Sequence, residues 1–234
     1  MESYNQNEKM SFGEWIENIW YHYKWLIIFG GVLAAFIIIS VFQIASTKDP
    51  DVNILHVGPM YISAGSAEKI ESTMSQFTED VNDDGKIKVD VLDITVNKFG
   101  TDVSDAMNYD DRNKALQRFQ TEIRAGDAVI YALDKEFFDI CIEEGLLTPL
   151  NEVLDDAYIP ANNVEGYGVY VSELDAFELD GLSSFPKTAI LCLRRSPDKE
   201  PLKYGRTQEV WDGNRKAFVK LIKYQAPEES EESK

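Results

Sequence analysis

The sequence predicts an α/β protein with an N-terminal transmembrane helix, followed by one doubly wound, mainly parallel α/β domain with an antiparallel edge. Two observations predict this fold class. Residues 25–45 form a run of 21 residues without a charged side chain, which is the length that a helix needs to cross a membrane. After residue 49, segments with strand periodicity alternate with segments with helix periodicity, which is typical of a parallel sheet with helical crossovers.

The segment before the apolar run predicts an amphipathic helix at the membrane interface. In residues 11–24, six apolar or aromatic side chains recur at helical spacing, namely Phe12, Trp15, Ile16, Ile19, Trp20 and Tyr23. Trp and Tyr favour the boundary between lipid and water, because their rings are apolar and carry a polar atom. We therefore expect a head at residues 1–24, whose aromatic face serves either as a simple anchor or as a contact for a membrane partner.

Residues 25–45 predict an uncleaved transmembrane helix. At about 1.5 Å per residue the helix would be about 31 Å long, which matches a hydrocarbon core of about 30 Å. A cleaved signal peptide has a shorter apolar core and a small-x-small cleavage site, and residues 46–48 do not provide a convincing one. Lys9 and Lys24 precede the span and Lys48 follows it. This weak basic bias predicts a cytoplasmic N-terminus and an extracytoplasmic C-terminal domain at the cell membrane.

The rest of the chain is long enough for one domain with its own core. We expect the folded domain at residues 49–225 and a disordered acidic tail at residues 226–234. Residues 49–234 carry 20 Lys and Arg against 37 Asp and Glu, a net charge of −17. Such a surface repels nucleic acid and anionic lipid headgroups, and it suits cations, basic partners or simple solubility.

Changes of periodicity predict the elements of this domain. The predicted strands are residues 52–57, 87–96, 126–133, 166–174 and 188–194. The predicted helices are residues 67–77, 110–124, 135–144 and 206–224, with a polar loop at residues 97–108 and a helical turn at residues 150–154. The last two strands are expected to pair antiparallel at an edge. Gly145 fits the position that ends a helix, and Gly213 should weaken the last helix by about 1 kcal/mol.

One run resembles a passage of bacterial extracellular solute-binding proteins of the periplasmic-binding class. It is GDAVIYALDKEFFDICIEEGLLTPLNEVL, residues 126–154. The resemblance is carried by the strand at Asp127–Ile130, the short helix at Phe137–Ile142 and the Gly-Leu-Leu-x-Pro-Leu pattern at Gly145–Leu150. It implies a doubly wound lobe; the family usually has two lobes with the ligand between them, whereas this domain has the length of one. The head, with Tyr-x-Tyr-Lys-Trp at Tyr21–Trp25, also looks like that of single-pass proteins of Gram-positive bacteria.

A second motif resembles a calcium-binding loop. Oxygen donors fall at positions 1, 3, 5 and 7 of such a loop, namely Asp80, Asn82, Asp84 and the backbone carbonyl of Lys86. Gly85 stands at position 6, where the turn is sharp. Val91 occupies position 12, where a bidentate Glu is usual, so Asp90 or Asp93 would have to replace it. The motif fits either weak calcium binding or a simple Asn-Asp-Gly turn.

The loop after the first strand is the candidate ligand site. In open parallel sheets, ligands gather at the carboxyl ends of strands, near helix N-termini. Ser63, Gly65 and Ser66 offer hydrogen-bond donors there, and Tyr61 offers a ring for stacking. The same residues also fit an ordinary loop followed by a helix N-cap.

The sequence gives little support for catalysis. His56 is the only histidine after the span and lies in a predicted strand, and no nucleophile motif or histidine-containing metal cluster is present. Cys141 and Cys192 lie among apolar neighbours, which favours two buried free thiols over a disulfide. We expect a membrane-anchored, extracytoplasmic, non-catalytic domain that binds a small ligand or a protein partner, with no cofactor or a weakly bound Ca²⁺. The alternative is an accessory or structural subunit of a transport-type membrane complex.

Overall fold

The structure is a computed structural model that describes residues 12–46, 49–96, 105–199 and 207–226. The chain divides into two compact units, before and after Asp49. The first unit contains helix α1 (Phe12–Ser46), which is 35 residues long. The predicted interfacial helix and the predicted span are therefore parts of one continuous helix. The start of the head, residues 1–11, and most of the predicted acidic tail, residues 227–234, lie outside the described residues.

Helix α1 exposes large apolar side chains along its middle. Trp25, Leu26, Phe29 and Phe36 are all exposed, an arrangement that is unfavourable in water and favourable in lipid. Residues Ile19–Val41 form an apolar segment long enough to cross a membrane. By length and composition, this segment fits a membrane span and also a signal sequence.

The second unit is built on a five-stranded sheet. Its strands are β1 (Val52–Gly58), β2 (Val89–Thr95), β3 (Ile130–Leu133), β4 (Gly168–Tyr170) and β5 (Ile190–Leu193). Their order is β2-β1-β3-β5-β4. β1 pairs in parallel with β2 and β3, whereas β5 pairs antiparallel with β3 and β4. Four strands thus run in one direction, which confirms the mostly parallel sheet and its antiparallel edge.

Helices cover both faces of this sheet. They are α2 (Ala64–Ser75), α3 (Asp105–Ala125), α4 (Lys135–Glu143) and α5 (Gln208–Ile222). α2 and α5 belong to the hydrophobic cluster that contains Ile54, whereas α3 and α4 belong to the cluster that contains Leu55. Ile54 and Leu55 are successive residues of β1, so their side chains point to opposite faces. The central strand is buried on both sides, as is usual in parallel sheets.

Several predicted boundaries are wrong, and two of them differ most from the structure. The strand expected at residues 166–174 is only three residues long, because the chain leaves β4 after Tyr170 in a series of 3₁₀ turns. Val171 and Leu174 are both buried there, at a spacing of three residues rather than two. α3 begins at Asp105, within the predicted polar loop. Ala106 and Met107 of its first turn are followed by the polar run at residues 110–114, so the sequence shows no continuous apolar periodicity there.

Residues 144–148 end helix α4 and return the chain to the sheet. Gly145 has φ +67°; its N–H donates to the carbonyl of Ile142 (2.9 Å), and the N–H of Leu146 donates to that of Cys141 (2.9 Å). These bonds satisfy carbonyls at the end of the helix. Thr148 then donates from its N–H to the Leu193 carbonyl of β5 (2.8 Å). The prediction that Gly145 ends this helix is confirmed.

Cys141 and Cys192 are both buried free thiols, as the sequence predicts. They belong to the same hydrophobic cluster, on the α3–α4 side of the sheet. Burial raises the pKa of Cys141 to about 12, and burial also raises the pKa of Cys192 well above its ordinary value. Because the thiolate is the reactive form, both side chains act here as small apolar core residues.

Candidate functional site

Polar side chains gather where β1, β2 and β3 end. His56 and Gly58 of β1 lie opposite Asp93 and Thr95 of β2, respectively. Asp134 follows β3, and its N–H donates to the Val57 carbonyl of β1 (2.8 Å). Residues two apart on a strand share a face, so His56 and Gly58 point the same way, as do Asp93 and Thr95. We call these five residues, His56, Gly58, Asp93, Thr95 and Asp134, the carboxyl-edge cluster.

His56 is held by an aspartate in this cluster. Its side chain is only 1 % exposed, and its Nδ1 lies 2.5 Å from Oδ1 of Asp93. The other oxygen of Asp93 accepts a hydrogen bond from the Thr95 hydroxyl (2.8 Å). The ring of Phe185 lies 6.2 Å from the imidazole, centroid to centroid. Since an ionised carboxylate only accepts hydrogen bonds, Asp93 places a proton on Nδ1 and fixes the orientation of the ring.

The other imidazole nitrogen lies beside Gly58. Nε2 of His56 has no hydrogen-bond partner among the residues that the structure describes. A Cβ atom on Gly58 would lie 3.4 Å from this nitrogen and 3.5 Å from Cβ of Asp134. These are ordinary contact distances, so an alanine side chain at position 58 would fit in van der Waals contact with His56 and Asp134.

The predicted ligand loop leads directly out of the cluster into helix α2. Tyr61 is 71 % exposed, so its ring is available for stacking. Ser63 is the N-cap of α2, and its Oγ accepts a hydrogen bond from the backbone N–H of Ser66 (3.2 Å). The two serine hydroxyl oxygens are 2.9 Å apart. Ser63, Ser66 and the intervening Gly65 thus form a helix cap, and their role in ligand binding remains a prediction.

The predicted calcium loop is closed by its own hydrogen bonds. Oδ2 of Asp80 accepts from the N–H of Gly85 (2.7 Å), and Oδ1 of Asn82 accepts from the N–H of Asp84 (3.1 Å). Oδ1 of Asp84 accepts in turn from the N–H of Lys86 (2.9 Å). The three side chains therefore face the inside of one turn. Gly85 has φ +79°, which explains why glycine stands at the sharp point of the turn.

A buried carboxylate fixes this loop to the start of β1. Asp51 is 2 % exposed, and its oxygens accept hydrogen bonds from the N–H groups of Val81 (2.8 Å), Asn82 (3.3 Å) and Lys88 (2.8 Å). Asp90, the predicted replacement ligand, is exposed and lies opposite Asn53 in the sheet. Among the described residues, no group of three or more His, Cys, Asp and Glu side chains could hold a metal ion. The calcium site remains a prediction.

Sequence reasoning missed the contact between His56 and Asp93. The two residues are 37 positions apart, and only the register of β1 and β2 brings them together. The available signal was a polar side chain on each of two predicted strands, at positions where apolar residues are usual. No protein-family model, no curated protein and no solved structure matches this chain. Function must therefore be inferred from helix α1 and from the carboxyl-edge cluster.

Proposed function

We propose that this chain is a single-pass membrane protein whose C-terminal domain is an extracytoplasmic, non-catalytic binding domain. The carboxyl-edge cluster is the observation that carries the binding role. The cluster contains a buried imidazole that is oriented by Asp93, and the adjoining loop carries the exposed ring of Tyr61. Such a combination, at the carboxyl ends of parallel strands, is where open α/β sheets bind ligands.

The apolar surface of helix α1 supports the membrane location. Its segment Ile19–Val41 has no buried residue and is long enough to cross a bilayer, and a spanning helix satisfies its backbone hydrogen bonds internally. An uncleaved anchor with Lys9 and Lys24 on the cytoplasmic side follows the positive-inside rule. The folded domain then faces outwards, and a small ligand or a protein partner reaches it from outside the cell.

The topology of the sheet supports kinship with one lobe of the solute-binding proteins. β2 and β3 flank β1, and α2 and α3 belong to clusters on opposite faces, as in a doubly wound fold. The ends of β1 and β3 then form the point where the strand order reverses, and the carboxyl-edge cluster lies at this point. A single lobe would bind its ligand at an open edge rather than between two lobes.

A melting experiment tests this function. The full chain in lipid nanodiscs is heated with a library of small amines, amino acids, sugars and nucleosides, and unfolding is followed by circular dichroism. A compound present at 100 times its dissociation constant stabilises the folded state by about 2.7 kcal/mol. We expect at least one compound to raise the melting temperature, and Tyr61→Ala to reduce the effect. If every compound leaves the melting temperature unchanged, the small-ligand form of the proposal is wrong.

The alternative function is that of an accessory subunit of a membrane complex. Aromatic side chains on α1 support it, since Trp15 and Trp20 are both about half exposed and suit contact with another membrane protein. Purification in mild detergent should then retain a partner in near-equal amount, and Trp15→Ala with Trp20→Ala should release it. Trp25→Ala, on the same helix, is the matched control. A purified chain without any stoichiometric partner would remove this alternative.

A further inference from the structure

A cavity lies between helices α3 and α4, and we call it the α3–α4 cavity. Its volume is about 440 Å³, within the range of about 300–1,000 Å³ that is usual for small-ligand sites. Arg124, one of its lining residues, belongs to the last turn of α3, from which the chain enters β3. The cavity is therefore at the end of the sheet where β3 begins, and none of its lining residues belongs to the carboxyl-edge cluster.

The inner wall of the α3–α4 cavity is apolar and held in place by the core. It consists of Phe119, Ile123 and Leu146, each of which is buried. The ring of Phe119 packs edge-on against that of Phe137, with 5.1 Å between the centroids. The carbonyl of Leu146 accepts a hydrogen bond from the N–H of Arg195 (2.7 Å). The apolar part of a ligand would thus meet a surface that exists before it binds.

Ile140 forms an exposed apolar side of the same cavity. Its side chain is 36 % exposed, whereas Phe137, Phe138 and Cys141 of the same helix are buried. Contact with an apolar group would remove the Ile140 side chain from water, which is favourable. The cavity therefore suits a ligand with an apolar part that reaches from the inner wall to Ile140.

Two charged side chains of the cavity lack a charged partner. Arg124 and Glu144 both line the cavity and are both exposed. Among the residues that the structure describes, neither side chain has a hydrogen bond or a salt bridge. Elsewhere along the same two helices, Arg112 of α3 forms a salt bridge with Glu136 of α4. The two helices thus pair their charges at one place and leave one charge of each sign available at the cavity.

We propose that the α3–α4 cavity binds an apolar α-amino acid in its zwitterionic form. The ligand carboxylate pairs with the guanidinium of Arg124, and the ligand ammonium pairs with the carboxylate of Glu144. The ligand side chain lies against Phe119, Ile123 and Ile140. A guanidinium is suited to a carboxylate, because its planar N–H groups match the two oxygens. This inference goes beyond the proposed function, since it assigns a second site at the other end of the sheet.

Charge complementarity is the reason for choosing a zwitterion. A carboxylate ligand without an amine would leave Glu144 unpaired next to a negative charge, and an amine without a carboxylate would leave Arg124 unpaired next to a positive charge. A ligand with both charges satisfies both side chains. An apolar molecule without any charge would use the inner wall alone.

Calorimetric titration of the full chain in lipid nanodiscs tests the ligand class. The probes are L-phenylalanine and L-leucine, with three analogues of phenylalanine that each lack one group. Phenethylamine lacks the carboxylate, phenylpropionate lacks the ammonium, and glycine lacks the apolar side chain. We expect saturable heat with at least one probe, and at least about tenfold weaker binding of each analogue. No saturable heat with either probe, or an analogue that binds as tightly as the better probe, would overturn the proposal.

Substitution of the two charged residues tests their roles. Arg124→Gln and Glu144→Gln each remove one charge at an exposed position, so the variants should keep the fold, which circular dichroism checks. We expect each to bind the amino acid at least about tenfold more weakly. Arg118→Gln and Glu143→Gln are the matched controls, because these exposed residues lie on the same helices and do not line the cavity. Equal losses in the controls would overturn the assignment to Arg124 and Glu144.

Methyl NMR tests the position of the ligand. With ¹³C in the isoleucine methyl groups, resonances are assigned through Ile→Val variants. Ile123 and Ile140 line the cavity, whereas Ile54 belongs to the hydrophobic cluster on the other face of the sheet. We expect saturable shifts of the Ile123 and Ile140 methyl groups and none of the Ile54 methyl group. Unchanged resonances of Ile123 and Ile140 at saturating ligand would overturn the site.

The outcomes separate this inference from the proposed function. Binding of the amino acid that is lost in Arg124→Gln and kept in Tyr61→Ala supports the α3–α4 cavity, whatever binds at the carboxyl-edge cluster. Binding that is lost in Tyr61→Ala and kept in Arg124→Gln would place the ligand at the carboxyl edge; this inference would then be wrong and the proposed function supported. If neither amino acid binds and no compound raises the melting temperature, both proposals fail.

Discussion

His56 of β1 and Asp93 of β2 lie opposite each other on neighbouring parallel strands, with Nδ1 of the histidine 2.5 Å from Oδ1 of the aspartate. The pair is placed at the end of the sheet that open α/β proteins use for binding. The ring of Phe185 packs near the imidazole, and the Thr95 hydroxyl donates a hydrogen bond to the second oxygen of Asp93. The same contact therefore contributes to the stability of the domain and to the chemistry of the proposed site.

Asp93→Asn tests the contribution of this contact to stability. The amide has the shape of the carboxylate but not its charge, and hydrogen bonds to charged groups contribute about 1.5–3 kcal/mol. We expect the free energy of unfolding to fall by about 2 kcal/mol in urea denaturation of the full chain in nanodiscs. Asp90→Asn, at an exposed position of the same strand, should change it by less than about 0.5 kcal/mol. Equal effects of the two substitutions would contradict the structure.

Gly213→Ala should destabilise the domain, although alanine is the better helix former. A Cβ atom at this position would lie 2.5 Å from Cγ2 of Val81, so helix α5 approaches the loop too closely for a side chain. Gly65→Ala in α2 is the matched control, because no heavy atom lies within 4 Å of its Cβ position. There we expect a gain of about 0.5–1 kcal/mol. The double variant Gly213→Ala with Val81→Ala should recover part of the loss, and a gain in the single variant Gly213→Ala would contradict the close contact.

Alkaline pH should destabilise the domain through its buried thiols. The unfolded chain releases the proton of Cys141 near its ordinary pKa of 9.0, whereas burial holds the proton in the folded state up to a pKa of about 12. The contribution of the protonated thiol to the free energy of unfolding is therefore fully present below pH 9. It is lost as the pH rises through this window, by up to about 1.4 kcal/mol per pH unit for each such thiol.

Urea denaturation at several pH values just above 9 measures this effect. Cys141→Ala lowers the stability at neutral pH but should show a shallower decline with rising pH than the wild type. Ionisation of the exposed lysines and tyrosines is common to both proteins and cancels in the comparison. Parallel curves would mean that Cys141 titrates equally in the folded and unfolded states, and would contradict its burial.

Calcium titration tests the loop at Asp80–Lys86. The oxygens of Asp80, Asn82 and Asp84 face one turn, and each keeps lone pairs for a cation. We expect weak binding, with a dissociation constant on the order of 10⁻⁴–10⁻³ M, and its loss in Asp80→Asn. Asp83→Asn is the control, because Asp83 is not a predicted ligand and its φ of +54° suits asparagine. Absence of heat and of a melting shift at millimolar calcium would exclude the site.

The layered part of the fold could be predicted because it depends on local pattern. β1 and β3 are mainly apolar runs of the length of a strand, β2 alternates apolar and polar residues, and α2 and α4 repeat their apolar residues at helical spacing. The ends of helices and strands that depend on tertiary contacts could not be predicted. β4 stops at Tyr170 because Val171 and Leu174 turn into the core, which no local pattern announces.

The site was predictable to the extent that it follows from the order of elements. A ligand loop after β1 follows from the rule that parallel strands end at a common edge, and Ser63 as N-cap of α2 follows from residue preference. The pairing of His56 with Asp93 depends on the register between two strands, and that register is set by the packing of the whole sheet. A single sequence does not show the register between these two strands directly.

The most direct measurement of binding at the carboxyl-edge cluster compares wild type with Gly58→Ala in the nanodisc melting experiment. The added Cβ would lie 3.4 Å from Nε2 of His56 and 3.5 Å from Cβ of Asp134, so it adds a methyl group to the cluster at ordinary contact distances. We predict that the melting temperature without ligand stays within about 4 °C of wild type. The compound that stabilises wild type should leave the variant unchanged. The same ligand-induced shift in both proteins would show that the ligand binds elsewhere and would contradict the proposed site.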